Sequence, residues 1–291
     1  MTTELSIERR MWSLFEPVHA VSYFAPQARQ AFEEAGLRGF WRGYFAGRCA
    51  PLGAVGAGPV IGAFYGFAPA MVQRALPDVW TRITPERALE ARLAGARAVL
   101  QFASEGLDPA GLDEAAGLLR TAAQATEPQG RVLGAANAAL PWPDEPLDVL
   151  WQAATTLREH RGDGHIAALL IEGLDGPESM VWRVALNGAG RGMAQPARGW
   201  SDEDWDAAHR RLHQRGYLDG EGGPSQKAHS AYRTIEETTD QLAAGPWRAL
   251  GAEATEHCAA LLTPLTARLL GRLGEYYPSW INLPMPVRDA S

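Results

Sequence analysis

The chain has 291 residues, of which 46% are hydrophobic and 21% charged, so it can bury one large or two ordinary cores and is not expected to be disordered. Its formal net charge of -7 argues against a generally nucleic-acid-binding surface, because phosphate recognition concentrates positive charge on a protein. A local basic patch stays open.

Neither the cysteines nor the apolar segments indicate a specialised compartment. Cys49 and Cys258 are far apart in sequence, so no disulfide framework or zinc module is expected, and a reducing cytoplasm fits. Residues 1–10 are polar, and no run of about 18 apolar residues occurs, so the sequence predicts neither a secretion signal nor a membrane span.

The first half of the chain is predicted to be helical. Residues 11–45 favour helices broken near Pro26 and Gly36, and the glycine-rich residues 50–70 favour short, closely packed elements. Thr84 before Pro85 predicts a capped helix to about Phe102, followed by another helix within 106–130. The proline-rich residues 139–146 cannot form a continuous helix, so we predict two halves, 1–140 and 141–291.

The second half begins with a polar interruption between apolar segments. We predict helices over 147–160 and 165–173, separated by the polar residues 157–165, which must either face water or form a satisfied polar site. A helix over 177–187 follows, and Ser201 then caps an acid-rich helix that Gly216 ends. A glycine turn at 220–223 between two short extended pieces is the predicted wing, and a helix over 226–242 follows it, which is the order typical of a winged helix-turn-helix. A final helical region is predicted over 249–276.

The two halves align when the chain is shifted by 117 residues. The shift places Gly47 on Gly164 and Thr84 on Ser201, so a predicted helix cap falls on another predicted cap. The predicted fold is therefore mainly α, with two tandem winged-helix-like repeats that form an intramolecular pseudo-dimer.

Four motifs together resemble the actinobacterial SCO6745-like helix-turn-helix family. They are Phe40 to Arg48, Pro141-Trp142-Pro143, Arg158 to His165, and Gly199-Trp200-Ser201 onward through the glycine turn. The similarity runs from about His19 to Leu265, and the second repeat is also similar in outline to MarR-type winged helices. The resemblance implies a fold related to winged-helix regulators, but it implies no particular reaction.

The predicted recognition helices depart from those of DNA readers. In helix-turn-helix proteins, the first residues of this helix meet bases and phosphates. Here those positions hold Asp202, Glu203, Asp204 and Asp206 in one repeat, and Glu86 with Glu90 in the other. Each carboxylate about 4 Å from a phosphate would cost on the order of 1 kcal/mol, so DNA is the disfavoured partner. Arg210, Arg211 and Arg215 lie further along and could still touch a DNA backbone.

The repeat brings two polar segments, 41–48 and 158–165, into equivalent places where they could share a cavity. We predict His165, His160 and Tyr44 as candidate catalytic groups, because histidine moves protons near neutral pH and tyrosine can donate to an oxyanion. Arginine can hold an anion through two hydrogen bonds. The predicted substrate-binding residues are His19, Tyr23, Arg42, Arg48, Asn137, Arg161 and Asp163.

Purely structural interpretations of the same residues stay open. His160 and Arg161 could end a helix, Arg161 and Asp163 could form an ordinary ion pair, Gly162 and Gly164 could form a turn, and Arg42 and Arg48 could bridge the repeats. A metal site of His160 and His165 with Glu159 and Asp163 is the weaker alternative, because this spacing matches no known metal signature.

The leading hypothesis is a cytoplasmic protein, monomeric or homodimeric, that binds a small organic ligand between the repeats. The arginines predict an anionic ligand, and Phe64, Tyr65 and Phe67, if they line the cavity, make it partly apolar. Whether the ligand is transformed and whether a cofactor takes part both stay open, and the sequence indicates no membrane partner. The second hypothesis is a ligand-responsive, MarR-like transcription regulator that binds DNA, and the third is a non-catalytic interaction protein.

Overall fold

The computed structural model describes residues 5–188 and 190–273, with the side chains of residues 272 and 273 excepted. Within these residues the chain forms fifteen α-helices, two short 3-10 helices and a single antiparallel bridge between Leu218 and Pro224. The prediction of a mainly helical fold is confirmed. The predicted wing is reduced to that bridge, because Asp219 turns the chain back by accepting hydrogen bonds from the backbone N–H groups of Glu221 and Gly223 at 2.9 and 2.8 Å.

Eight α-helices and both 3-10 segments precede the proline-rich connector. The helices are α1 (Ile7–Phe24), α2 (Pro26–Glu34), α3 (Phe40–Cys49), α4 (Ala57–Phe64), α5 (Pro69–Ala75), α6 (Pro85–Ser104), α7 (Pro109–Gln124) and α8 (Val132–Ala138). The 3-10 segments are Ala50–Leu52 and Asp78–Thr81.

Seven α-helices follow the connector. They are α9 (Pro146–Ile171), α10 (Gly176–Asn187), α11 (Arg191–Arg198), α12 (Asp202–Gln214), α13 (Gln226–Leu242), α14 (Gly245–Leu250) and α15 (Ala252–Leu273).

Side-chain caps account for several helix starts. The hydroxyl of Thr84 accepts a hydrogen bond from the N–H of Arg87 at the start of α6, and that of Ser201 accepts one from the N–H of Asp204 at the start of α12. The predicted bounds of α13 are confirmed, and α6 runs two residues past the predicted Phe102. Residues 139–145 are not helical, as their prolines predict.

The predicted interruption at residues 157–165 is wrong. Residues 146–171 form one continuous helix, α9, and most of its polar positions are buried. His160 and Arg161 therefore do not end a helix, and Gly162 and Gly164 do not form a turn. A helix can carry these groups inside the protein because most of them are paired with other polar groups, so the polar segment is a buried polar site rather than a solvated loop.

Helix α9 is shared by two of the three hydrophobic clusters. Its first half, including Leu150 and Trp151, packs with α1, α6, α7 and α15, and its last turns, including Leu169, pack with α10, α12 and α13. A third cluster gathers α3 to α6 around Phe45 and Phe64. Cys49 and Cys258 are both free and buried. Within the described part of the chain, no helix combines the length and apolarity needed to cross a membrane.

Candidate functional site

A cavity of about 510 Å³ lies where α1, α3, α9, α10 and α13 meet the loop after α4. Both polar segments reach it: Trp41, Tyr44 and Arg48 come from α3, and Arg158, Arg161, Asp163 and His165 come from α9. The volume lies within the usual range for ligand pockets, roughly 300 to 1,000 Å³.

One buried ion cluster joins α1, α3 and α9 at the wall of the cavity. The guanidinium of Arg48 donates to both carboxylate oxygens of Glu159, at 2.8 and 2.9 Å, and Arg158 donates to the same carboxylate at 2.8 Å. Arg158 also lies 3.7 Å from Glu16. Burial alone would raise the pKa of Glu159, but the two arginines outweigh it and hold that pKa well below its ordinary value. Glu159 is therefore an anion that fixes two cations in place.

A second ion cluster is built from α1, α9 and α13. Arg161 lies 2.7 Å from Asp240 and 3.9 Å from Glu236, and Arg9 contacts the same two carboxylates at 3.2 and 2.6 Å. Arg161 also stacks over the Trp12 ring, with its guanidinium carbon 4.9 Å from the ring centroid. The predicted ion pair of Arg161 with Asp163 is thus wrong, because Arg161 turns toward α13.

The protonation of His165 follows from its neighbours. The Thr239 hydroxyl donates to the Ile235 carbonyl at 2.7 Å, so its oxygen accepts from Nδ1–H of His165 at 3.1 Å. Nε2 is then the unprotonated nitrogen and accepts from Arg183 at 3.2 Å. Burial, with Arg183 and Arg161 nearby, lowers the pKa of His165 well below its ordinary value. The ring is neutral and both of its nitrogens are engaged.

Asp163 caps a helix that packs against α9. One of its carboxylate oxygens accepts hydrogen bonds from the backbone N–H groups of Leu133 and Gly134, at 2.9 and 2.8 Å, at the start of α8. Burial raises the pKa of Asp163 to about 6 in spite of these two bonds. The Asp163 carboxylate therefore holds the start of α8 and does not pair with an arginine.

Much of the remaining cavity wall is aromatic. Tyr44 lies at its centre, with ring centroids 5.0 Å from Tyr23, 5.5 Å from Trp41 and 5.6 Å from Phe67. The aromatic residues of the wall are Trp12, Tyr23, Phe24, Phe40, Trp41, Tyr44, Phe64, Tyr65, Phe67, Trp182 and Tyr232.

The structure brings six of the ten sequence-predicted site residues to the cavity. These are Tyr23, Tyr44, Arg48, Arg161, Asp163 and His165. His19, Arg42, Asn137 and His160 do not line it, so the expectation that all ten face one cavity is wrong.

Each of those four residues has a different structural setting. His19 is buried beside Thr155, 3.0 Å from its hydroxyl, and Asn137 accepts from Arg92 at 3.2 Å while donating to the Leu133 carbonyl. Arg42 is exposed near Asp78, and burial lowers the pKa of His160 to about 4.

Sequence reasoning found Tyr23 on α1 but missed Arg9, Trp12 and Glu16. These three residues line the cavity with Tyr23 and recur with it at helical spacing. A polar stripe at this spacing is the signal that could have found them. Arg183 and Arg198, also on the wall, follow no such stripe. For the metal alternative, the described residues contain no group of three or more histidine, cysteine or carboxylate side chains that could hold a metal ion.

The model of a helix-turn-helix family matches residues 8–275. The chain belongs to this helix-turn-helix family. No curated protein and no solved structure matches the chain.

A short connection joins α11 to α12. Two helices are joined by residues 199–201, and Gly199 adopts a left-handed conformation with φ of 74°. A side chain at Gly199 would also meet Met71, because a Cβ there would lie 2.7 Å from the Met71 Cβ.

The connection between α11 and α12 contacts the cavity wall. The Trp200 indole donates to the Gly66 carbonyl at 3.0 Å, and the N–H of Ala68 donates to the Arg198 carbonyl at 2.8 Å. The Arg198 guanidinium stacks over the Phe67 ring, with 4.2 Å between its carbon and the ring centroid.

The surface of α12 is mixed in charge. Asp202, Glu203 and Asp204 are exposed at its start. Arg211 donates to Glu178 at 2.9 Å, and Arg215 donates to the other oxygen of that carboxylate at 2.9 Å, so both arginines are engaged within the protein. Arg210 stays exposed and has no ion-pair partner in residues 5–188 and 190–273.

Proposed function

We propose that this helix-turn-helix protein binds a small, partly apolar organic molecule in the cavity between its two halves. The observation that carries the proposal is that segments 41–48 and 158–165, one from each half, both line a cavity of about 510 Å³ with a largely aromatic wall. Ligand sites of this kind are concave, mostly apolar and furnished with a few fixed polar groups.

The proposed activity is binding rather than proton transfer. The sequence points to His165, His160 and Tyr44 as candidate catalytic groups, but His165 is neutral with both nitrogens engaged, and His160 does not line the cavity. A general base needs a free nitrogen within hydrogen-bond reach of its substrate.

We further propose that the two halves are winged-helix-like repeats related as a pseudo-dimer. Helices α6 and α12 begin 117 residues apart, and so do α7 and α13. The caps Asp108 and Ser225 stand at the same separation. The repeat supports a ligand site at the interface, because segments in equivalent positions of two related halves face each other there.

The proposal is tested with N-phenyl-1-naphthylamine, a neutral apolar dye whose fluorescence rises when it leaves water. We expect saturable binding at one site per chain. Ile166→Trp fills the cavity from α9 and should abolish binding. Ile171→Trp, a matched change on the same helix at a side chain that is 80% exposed, should leave it unchanged. Equal binding by both variants would overturn the proposal.

A DNA-binding regulator is the second candidate, and family membership favours it. Arg210 is the group on α12 available for a phosphate, and the acidic start of α12 opposes it. Fluorescence anisotropy of a labelled duplex at 50 and 200 mM salt separates the candidates. Binding that weakens steeply with salt and with Arg210→Glu would support a regulator. No binding at either salt concentration would remove it.

A further inference from the structure

We propose that Arg183 is the anion anchor of the cavity, and that the ligand carries a single negative charge beside a flat aromatic body. This inference rests on the proposed ligand-binding function and deepens it. The sequence instead points to Arg42, Arg48 and Arg161 as anchors.

Four of the six arginines that line the cavity belong to two balanced sets of charges. Arg48 and Arg158 face Glu159 and Glu16. Arg9 and Arg161 face Glu236 and Asp240. Each set contains two cations and two carboxylates, so neither one calls for an anionic ligand.

Arg183 stands outside both sets. It lines the cavity from α10, and in residues 5–188 and 190–273 no carboxylate lies within ion-pair distance of its guanidinium. Its hydrogen bond goes to Nε2 of His165, a neutral acceptor. A guanidinium has five N–H donors, so most of its hydrogen-bonding capacity stays available to a ligand.

His165 acts as a positioning residue for this anchor. Because Thr239 holds Nδ1–H, Nε2 must accept, and it fixes the guanidinium of Arg183 without neutralising it. A carboxylate in the place of His165 would cancel the charge that the ligand is to meet. A histidine held neutral keeps the anchor both oriented and cationic.

The neighbouring charges favour a monoanion over a dianion. Glu236 also lines the cavity, so its carboxylate would repel a second negative charge on the ligand. Arg198 stacks on Phe67 and belongs to the aromatic part of the wall.

The aromatic wall determines the shape of the uncharged part of the ligand. The rings of Tyr23, Trp41 and Phe67 each have their centroids within 6 Å of the Tyr44 centroid, and an aromatic cluster of this kind favours a planar ring packed against it.

Displacement of N-phenyl-1-naphthylamine by three naphthalene compounds tests the inference. They are 2-naphthoate, its neutral isostere 2-naphthamide, and the dianion 2-naphthyl phosphate. We expect the wild type to bind 2-naphthoate at least about tenfold more tightly than 2-naphthamide, the difference that one charge-assisted hydrogen bond supplies. The phosphate should bind more weakly than 2-naphthoate.

Single-residue variants show which side chain produces the preference for 2-naphthoate over 2-naphthamide. Arg183→Gln should bring the preference to about one by weakening 2-naphthoate much more than 2-naphthamide, whereas Arg210→Gln, a matched change on the exposed face of α12, should keep the preference. His165→Leu should also weaken 2-naphthoate more than 2-naphthamide, whereas a merely structural role would weaken both equally. A preference that survives Arg183→Gln would overturn the inference, as would equal affinity for acid and amide, or tightest binding of the phosphate. If the dye itself does not bind, the proposed function fails; if it binds without charge preference, only the anchor fails.

Discussion

Replacing Glu159 by glutamine removes the negative charge that pairs α9 with Arg48 of α3 at the cavity. The side chain of Glu159 is 2% exposed and that of Arg48 is 9% exposed, and their two hydrogen bonds have lengths of 2.8 and 2.9 Å. Breaking a buried pair by removing one partner costs about 3–5 kcal/mol, because the remaining charge is buried without compensation. Here Arg158 loses its main partner as well, so the upper part of that range is expected.

Chemical denaturation measures this cost as a change in the free energy of unfolding. In a thermal melt, a cost of about 4–5 kcal/mol in a chain of 291 residues corresponds to a fall of roughly 6 to 8 °C in Tm. Glu90→Gln is the matched control, because Glu90 pairs with Arg87 on the exposed face of α6 and its loss should cost less than about 1 kcal/mol.

The stabilisation that the Glu159 carboxylate supplies should also depend on pH. The folded-state pKa is depressed, so the stabilisation is complete above the unfolded pKa of about 4.3 and is lost as pH falls below it. A Glu159→Gln variant within 1 kcal/mol of the wild type at pH 7 would refute the reasoning.

Two further predictions concern the packing of α8 on α9. Asp163→Asn should keep both hydrogen bonds from the N–H groups of Leu133 and Gly134. It also removes a buried negative charge, because the pKa of the Asp163 carboxyl is raised only to about 6. At pH 7.5 the variant should therefore be at least as stable as the wild type in urea denaturation. That gain should vanish below about pH 4, where Asp163 is protonated in both the folded and the unfolded state; a variant less stable at every pH would contradict this. Gly134→Ala should lower the free energy of unfolding by several kcal/mol, because a Cβ there would lie 2.8 Å from the backbone Cα of His160. Gly117→Ala is the matched control in α7; its Cβ would meet open space, so it should stabilise the protein by up to about 1 kcal/mol. Similar Tm values for these two glycine variants would show that α8 and α9 are not closely packed.

Local signals in the sequence were enough to predict most of the helices. Thr84, Ser201 and the prolines of residues 139–146 act on neighbouring backbone groups, so their effects can be derived without tertiary structure. The continuous helix through residues 157–165 could not be predicted in this way. Its polar groups are satisfied by partners that are distant in sequence: Arg48 for Glu159, Asp240 for Arg161, and the start of α8 for Asp163.

The candidate site shows the same limit. The two segments that meet at the cavity could be predicted, because the 117-residue offset relates Arg48 to His165. The balance of charge could not, since Arg48 and Arg161 are compensated by residues of other helices while Arg183 is not. Which arginine can serve a ligand depends on that balance, and it exists only in the folded chain.

A crystal structure of the protein soaked with N-phenyl-1-naphthylamine tests the central claim most directly. The account predicts density for the dye between Tyr44 of α3 and Ile166 of α9, in contact with the aromatic wall. Density for the dye only at other places on the protein would contradict it.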